Sequence, residues 1–389
     1  MNSTSESVVG TRSGIVIVGG GLAGAAAAAL LAQGRARPLL LERTAGAHDK
    51  VCGEFLSTEA QAHLAALGLD TARLGGACID RVRLVSGGRE AAARLPFVAL
   101  GLTRRRLDEA LLDHAAAAGA KVERGVTVRE LTPGGLASSA GELAGHTVLL
   151  ASGKHDVRGA KRDTAGTIDG LIGFKQYFRV SPSVREALQG TIEVVLFDGG
   201  YAGLQLVEGG VVNLCLLVEP AYFAAADNSW SGLITALLDQ PAIARRLGDA
   251  TPTLARPLTI AGVPYGYVAS ADPGGAFRLG DQAAVIPSFS GDGMSIALHS
   301  ARLAAQAVLG GGGAAAYQAR LRRDVGWQVA RARWLQRGGK TALGRALLMT
   351  GLGLFPAALQ ALALATRVPQ PALRRAGVDV RYAPSAASA

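Results

Sequence analysis

The sequence predicts an α/β protein in three parts, and three observations support this fold class. An apolar strand, a glycine turn and an alanine-rich helix follow one another over residues 14–33. Short strands with alternating or wholly apolar character occupy residues 171–218. Residues 310–389 have a helical pattern and are rich in arginine. We therefore expect a parallel sheet, an antiparallel sheet and a helical C-terminal region.

Composition excludes several other classes of protein. Hydrophobic residues make up 49% of the 389 residues and charged residues 18%, which excludes a disordered polyelectrolyte. The net charge of +10 comes from scattered arginines without an aromatic-interleaved basic motif, so we expect no nucleic-acid partner. Cys52, Cys78 and Cys215 are widely spaced, which argues against disulfides and against a metal site. We expect a reduced, cytoplasmic protein.

The charge-free run Ser13–Gln33 has two interpretations. Its length and apolar character suit a signal peptide or a membrane helix. However, more than half of the run is glycine and alanine, and a glycine turn interrupts it. We favour the strand Gly14–Val18, then the turn, then the helix Leu22–Gln33.

The glycine turn has the spacing of a dinucleotide fingerprint. Gly19 allows the tight turn, Gly21 lets the backbone approach a pyrophosphate, and Gly24 lets the helix pack on the strand. The helix N-terminus then offers unpaired N–H groups to the anion. A second apolar strand, residues 38–41, leads to Glu42, whose carboxylate is placed to accept hydrogen bonds from a ribose. Both NAD and FAD fit these residues.

A second strand-to-helix turn lies about 260 residues downstream and favours a longer cofactor. The predicted strand 276–279 is followed by Asp281, which could hold a ribityl hydroxyl. The glycine-rich segment 290–293 leads into a helix whose first amides belong to Gly293 and Met294. Such amides stabilise negative charge on a reduced flavin ring.

With two further blocks, these motifs resemble the flavoprotein superfamily of para-hydroxybenzoate hydroxylase. The further blocks are Arg104-x-x-Leu107-Asp108-x-x-Leu111 and the segment 151–158. Within the superfamily, the chain is similar to the branch that includes geranylgeranyl reductases and flavin-dependent halogenases. The resemblance covers about residues 13–310.

The resemblance implies a discontinuous Rossmann-type FAD-binding domain and an antiparallel-sheet substrate domain. We expect a disordered tail at 1–12, the FAD-binding domain at 13–80, 96–160 and 271–309, the substrate domain at 81–95 and 161–270, and C-terminal helices at 310–389.

The resemblance also implies site residues, with FAD as the cofactor. The helix that begins at Arg104 matches the one whose leading arginine reaches FAD. The residues expected to bind the cofactor are Gly19, Gly21, Leu22, Ala23, Gly24, Glu42, Arg43, Lys50, Arg104, Asp281, Gly293 and Met294.

Three residues are the catalytic candidates. The segment Lys50–Ser57 resembles the Cys-Gly segment that covers the flavin in the reductase branch, and within it Cys52 either shapes the site or is a plain buried thiol. Glu54 can act as an acid or base only if burial raises its pKa. Tyr201 occupies the place of a family tyrosine on a substrate-domain strand.

The sequence departs from the family pattern at three places. Ser152 stands where the hydroxylases carry an aspartate linked to NAD(P)H handling, which puts direct use of a pyridine nucleotide in doubt. The paired tryptophans of the halogenases are missing, so chlorination is not expected. Gly203 replaces the tryptophan of the reductase branch and predicts a wider pocket beside Tyr201.

The function that this pattern favours is hydroxylation. The resemblance implies a monooxygenase that hydroxylates an aromatic or polyketide-like small molecule of secondary metabolism through a flavin C4a-hydroperoxide. The alternative is a reductase of isoprenoid or other lipid-like double bonds. A third hypothesis is a flavin-free nucleotide-binding or membrane-anchored accessory protein. NADH, NADPH or a reductase partner would supply the electrons.

A second charge-free stretch, Ala346–Thr366, lies in the C-terminal region between two arginines. Pro356 and two glycines in its first half argue against one straight spanning helix. Three interpretations compete: two short helices that pack on the body, a peripheral membrane contact, and a channel for a lipid-like substrate.

Overall fold

The structure is a computed structural model that describes residues 13–270, 275–355, 357–380 and 382. The expected disordered tail 1–12 and Pro356 lie outside these residues. The strands are β1 Ser13–Val18, β2 Leu39–Glu42, β3 Phe55–Leu56, β4 Ala77–Ser86, β5 Arg89–Gly101, β6 Lys121–Arg124, β7 Val128–Thr132, β8 Gly135–Ser138, β9 Gly141–Leu150, β10 Ile172–Arg179, β11 Gly190–Phe197, β12 Gly200–Leu206, β13 Val212–Val218, β14 Thr251–Pro252, β15 Leu258–Ala261 and β16 Phe277–Arg278. The helices are α1 Leu22–Gln33, α2 Thr58–Ala65, α3 Arg104–Ala117, α4 Pro182–Leu188, α5 Pro220–Ala225, α6 Trp230–Leu238, α7 Pro241–Leu247, α8 Gly293–Leu309, α9 Ala314–Gly339, α10 Ala342–Leu354, α11 Ala357–Ala365 and α12 Gln370–Arg375.

The first sheet has the predicted parallel core. Its strand order is β6-β2-β1-β9-β8-β7, with β16 also paired to β9, and the pairs β6–β2, β2–β1, β1–β9 and β9–β16 are parallel. Ile17 packs towards α1, α3 and α8, whereas Val16 and Val18 pack towards β8 and β9. Because both faces of β1 are buried, its sequence is apolar throughout rather than alternating. The charge-free run 13–33 is therefore strand, turn and core helix.

The second sheet has the order β14-β10-β13-β12-β11-β4-β5-β3, with β15 paired to β10. Its pairs are antiparallel except β11–β4. On β12, the alternate residues Ala202, Leu204 and Leu206 pack under α6 and α7. The opposite face of β12 carries Tyr201 and Gly203, and it contacts the loops before β3 and α8 through Gln205 and Tyr201. β4 and β5 reach beyond the segment 81–95 that the sequence assigned to this sheet.

The C-terminal helices complete the fold. α9 packs against α8 and β16, while α10 and α11 cross over β4 and β5. The charge-free stretch 346–366 thus forms parts of two helices that pack on the body. Within the described residues, no single helix is long and apolar enough to cross a membrane, although the bent pair 342–354 and 357–375 passes that test by length and composition.

Candidate FAD site

The three fingerprint glycines have different surroundings. Gly19 has a φ of +103°, and a Cβ there would lie 2.4 Å from the carbonyl oxygen of Ala151 at the end of β9. A Cβ at Gly24 would lie 1.9 Å from the Gly19 oxygen. A Cβ at Gly21 would meet only the ends of two cationic side chains at 3.5 Å. Gly19 and Gly24 therefore hold helix against strand, whereas Gly21 faces open space.

That space is a cationic cradle at the start of α1. The two side chains beside Gly21 are Lys50 and Arg104. Asp108 holds both, accepting from Lys50 Nζ at 2.7 Å and from Arg104 Nε and Nη2 at 2.8 and 2.9 Å. Burial opposes ionisation of Asp108, but Arg104 and Lys50 outweigh it and lower the pKa of this carboxyl. No described side chain caps the first amides of α1. Amides and paired cations together suit a diphosphate.

Glu42 lies beside the same turn, at the end of β2. Its Oε2 accepts from the Gly20 amide at 2.6 Å, and its Oε1 accepts from the amide and hydroxyl of Thr44 at 2.9 and 2.7 Å. Burial opposes ionisation, yet the donors from Thr44 and Gly20 bring the pKa of Glu42 below its usual value. An ionised carboxylate at this position fits the expected role as acceptor for a ribose.

Three further predicted cofactor residues differ in what they can offer. Leu22 and Ala23 are buried at the start of α1, so their side chains pack in the core and only their amides face the turn. Arg43 is exposed on the loop after β2.

The second predicted turn lies at the same edge of the parallel sheet, because β16 runs parallel to β9. Asp281 is half-buried in a short 3-10 turn, and its carbonyl oxygen accepts from Arg162 at 2.9 Å. α8 begins at Gly293 and then Met294, and no described side chain caps its first amides. The structure thus brings Gly21, Asp281 and Gly293 to one edge.

Glu54 is the centre of a buried polar cluster between the two sheets. Its side chain is 0% exposed and its φ is +59°, in the left-handed region. Its carboxylate lies 2.5 Å from Lys175 Nζ, and accepts from the Arg104 amide at 2.7 Å and from the Tyr177 hydroxyl at 2.8 Å. Burial raises the pKa of Glu54, and the Lys175 charge opposes that shift. Glu54 links α3 to β10, so we interpret it as a positioning residue; its role as an acid or base stays a prediction.

The sequence analysis did not identify four polar residues that contact the loop 52–54, which carries Glu54. The side chain of Asn213 donates to the carbonyl of Gly53 at 2.9 Å, and that of Gln205 donates to the carbonyl of Glu54 at 2.8 Å. The other two, Lys175 and Tyr177, lie on β10. A lysine within the otherwise uncharged segment 172–178 was the available sign, since a buried lysine needs a partner.

One face of the second sheet, formed by β10, β12 and β13, is turned towards the loops that we expect to contact the flavin; we call this face the substrate wall. Gly203 pairs in register with Cys215, and Cys215 pairs with Lys175. The ring of Tyr201 lies edge-on to Phe289, in the loop before α8, with centroids 6.4 Å apart. Burial raises the pKa of Tyr201 well above its usual value, so its hydroxyl stays neutral.

Gly203 leaves room on this wall. The nearest described atom to a Cβ there would be the Cys215 carbonyl oxygen, at 3.6 Å. Cys52 is partly exposed; its sulfur accepts from the Glu54 amide at 3.4 Å and lies within hydrogen-bonding reach of the Arg104 guanidinium. The structure therefore places two of the catalytic candidates, Cys52 and Tyr201, on loops and strands that border the same region.

These observations fit a flavin dinucleotide. The open position at Gly21, the uncapped amides of α1 and the two paired cations suit its diphosphate, and the second uncapped helix start suits the ring. No group of histidine, cysteine or acidic side chains among the described residues could hold a metal ion.

Comparisons with known proteins support this interpretation. Residues 12–141 match the family model of the FAD binding domain. The chain is 27% identical over 383 residues to a menaquinone reductase of Mycolicibacterium smegmatis, covering 87% of this chain and 90% of that protein.

Solved structures share the fold at low identity. A flavoprotein/dehydrogenase from Cytophaga hutchinsonii has a TM-score of 0.69 at 18% identity, covering 84% of this chain and 86% of that one. The flavin-dependent brominase Bmp2 has a TM-score of 0.72 at 15% identity, covering 93% and 95%. Halogenase PltM with phloroglucinol and FAD has a TM-score of 0.73 at 15% identity, covering 94% and 84%. The chain thus carries the FAD binding domain and the fold of the para-hydroxybenzoate hydroxylase-like superfamily, and it is an FAD-dependent oxidoreductase.

Proposed function

We propose that the protein is an FAD-dependent reductase of a carbon–carbon double bond in a lipid-soluble, isoprenoid substrate such as the side chain of a quinone. The observation that carries this proposal is the similarity to a menaquinone reductase along nearly the whole of both chains. The Cys52-Gly53 segment, which resembles the reductase branch, supports the same reaction.

Bound FAD supplies the two-electron chemistry of such a reduction. The chain itself must hold the cofactor, keep water away from the substrate and deliver a proton to one carbon of the double bond. The Cys52 thiol is the stronger candidate for the proton donor because it is partly exposed and lies in the segment that resembles the flavin-covering segment of the reductase branch. Glu54 is less suited, since Lys175, Tyr177 and the Arg104 amide already occupy its carboxylate.

The source of electrons is a separate part of the proposal. Ser152 replaces the aspartate that the hydroxylases link to NAD(P)H handling, and its hydroxyl donates to the His155 carbonyl at 2.7 Å. We therefore favour a partner reductase as the donor, with direct reduction by NADH or NADPH as the alternative.

Hydroxylation of an aromatic or polyketide-like molecule is the second candidate function. Gly203 favours it, because the wall beside Tyr201 has no side chain at the position where the reductase branch carries a tryptophan. A planar ring fits such a gap more readily than it fits a filled wall.

One experiment separates the two functions. The FAD-loaded protein is reduced anaerobically with NADH, NADPH or dithionite, then mixed with menaquinone or with phenolic substrates, and flavin absorbance and product mass are followed. The reductase predicts flavin reoxidation without oxygen and a product that keeps two added hydrogens after air has returned its hydroquinone ring to the quinone. A product with one added oxygen, formed only after air is admitted, would replace the reductase by the hydroxylase. The Gly21→Val variant, designed to lack flavin, is the control for uncatalysed reduction.

A further inference from the structure

α10 and α11 form an arm, residues 342–365 without Pro356, that has an apolar outer face. Leu343, Leu347 and Leu354 are 71%, 64% and 70% exposed, and Phe355 is 69% exposed. The three leucines are spaced by four and seven residues, so they lie along one side of α10. Isolated exposed leucines are common on soluble proteins, but a row of them marks an interaction surface.

The inner face of the arm is fixed to the body. Met349 and Leu352 are buried, and α10 contacts β4 and β5 of the second sheet. Thr350 Oγ1 accepts from Arg89 at 2.9 Å, and Gln360 donates to the carbonyl of Arg94 at 2.9 Å. The apolar outer face is therefore a stable property of the folded protein.

The segment of sequence that contains the arm carries charge of one sign. Between Asp324 and Asp379 the sequence contains no Asp or Glu and eight Lys or Arg. Four of these cations pair with carboxylates elsewhere, namely Lys340, Arg345, Arg367 and Arg375. Of the other four, Arg333 donates to the Gly166 carbonyl at 3.1 Å and Arg331 lies over the ring of Trp327, whereas Arg337 and Arg374 are exposed. An apolar row flanked in the sequence by such cations is complementary to an anionic lipid surface.

The end of the arm reaches the candidate flavin site. Arg367 follows α11 by two residues and contacts Asp292 at 3.3 Å, and it also donates to the Ser290 carbonyl. The Val368 amide donates to the same carboxylate at 3.0 Å. Since Asp292 directly precedes α8, the arm is joined to the loop that we expect to contact the flavin ring.

We propose that the arm docks the protein on a phospholipid bilayer containing anionic headgroups. The exposed side chains of α10 and Phe355 enter the interface, and the exposed arginines of the flanking segments, Arg337 and Arg374, meet lipid phosphates. The proposed docking rests on the exposed apolar face and on the charge of the flanking segments. It deepens the proposed function, because docking would bring the site to a lipid-soluble substrate. Only this consequence rests on the proposed reaction.

The test uses the full-length, FAD-loaded protein and vesicles of phosphatidylcholine, with or without phosphatidylglycerol. Wild type is expected to sediment with the phosphatidylglycerol vesicles, and less with the neutral ones or in high salt. Leu347→Glu is expected to lower the partition coefficient roughly tenfold or more, because it places a carboxylate at the interface. Leu309→Glu is the matched control, since Leu309 is also exposed but lies at the end of α8, outside the arm.

Flavin content and thermal midpoint show that each variant is folded, and both should equal the wild-type values because Leu347 packs little. Wild type that stays in the supernatant with anionic vesicles would overturn the proposal. Vesicle binding by Leu347→Glu equal to that of wild type would also overturn it. If Leu347→Glu instead only converted a dimer to a monomer, the apolar face would be assigned to a second copy of this chain. None of these measurements requires turnover, so a negative result in the reductase assay would not change the conclusion about membrane binding.

Discussion

Each half of the site contains a buried carboxylate, and the two are held in different ways. The donors to Glu42 come from Gly20 and Thr44, at most 22 positions away in the sequence. The side-chain donors to Glu54 come from Lys175 and Tyr177, more than 120 positions away. The pKa of Glu42 is lowered by its hydrogen bonds, whereas burial raises the pKa of Glu54.

The difference shows how the two ends are built. At the nucleotide end, the backbone amides of a single turn provide binding groups together with the side chains of Lys50 and Arg104. At the substrate end, a charge is buried between two sheets and needs an opposite charge from another strand. A side chain added at Gly21 should therefore affect ligand binding, whereas loss of Glu54 or of Lys175 should affect folding.

The largest expected effect is at the Glu54–Lys175 pair. Glu54→Gln or Lys175→Met alone should lower the free energy of unfolding by about 3–5 kcal/mol, because each leaves one buried group without its partner. The double variant should recover much of that loss. Urea denaturation of the apoprotein measures the two single variants and the double variant. The exposed ion pair Arg158–Glu130 is the control, because its removal should lower the free energy of unfolding by at most about 1 kcal/mol. A double variant as unstable as the two losses added together would contradict the pairing.

The next largest effect is expected at Gly21. Gly21→Val should weaken FAD binding on the order of 100-fold or more, about 3 kcal/mol, and should leave the fold intact because its Cβ meets only flexible side-chain ends. Gly24→Ala is the contrasting variant: its Cβ would lie 1.9 Å from a backbone oxygen, so the fold itself should be destabilised. Flavin titration and thermal denaturation distinguish the two. Wild-type flavin content in Gly21→Val would refute the assignment of the cradle.

A smaller effect is expected on the substrate wall. Gly203→Trp should retain FAD but reduce turnover of a substrate whose ring occupies this gap by about 10–100-fold, because an indole fills the space of a one-ring group. Gly203→Ala should change little, since its Cβ meets the Cys215 oxygen at an ordinary distance of 3.6 Å. Turnover, flavin content and thermal midpoint are measured on both. Full activity in a stable Gly203→Trp protein would remove this part of β12 from the site.

The smallest effect is a dependence on pH. The pKa of Glu42 is lower in the folded protein than its ordinary value of 4.5. Its contribution to stability is therefore fully present above about pH 4.5 and is lost as the pH falls through the folded pKa. Glu42→Gln should flatten the unfolding free energy of the apoprotein in that acidic range, by at most about 1.4 kcal/mol per pH unit. An unchanged slope would mean that another carboxylate dominates there. Glu54 acts with the opposite sign because its pKa is raised.

Much of the nucleotide end could be predicted from the sequence. β1, the glycine turn and α1 match the predicted segments closely, and Glu42 lies beside the turn as expected. The pairing of Lys50 with Arg104 through Asp108 could not be predicted, because the three come from separate segments that only the folded sheet brings together.

The substrate end was predicted as strands but not as contacts. The alternating pattern identified β12 and β13, and with them the face that carries Tyr201 and Gly203. The sequence could not show that Lys175 reaches Glu54, since Glu54 lies in the loop before β3 and meets β10 only when that loop packs across the second sheet.

The α/β class, the dinucleotide turn and the acid-free C-terminal stretch follow from the amino-acid sequence, because glycine spacing, apolar periodicity and charge are local properties of the chain. The contacts that enclose Glu54 with Lys175 and Tyr177, and those that join the C-terminal arm to Asp292 through Arg367, arise only in the folded protein. Those contacts link residues far apart in the sequence, and burial, which sets their strength, exists only after the sheets and helices have packed.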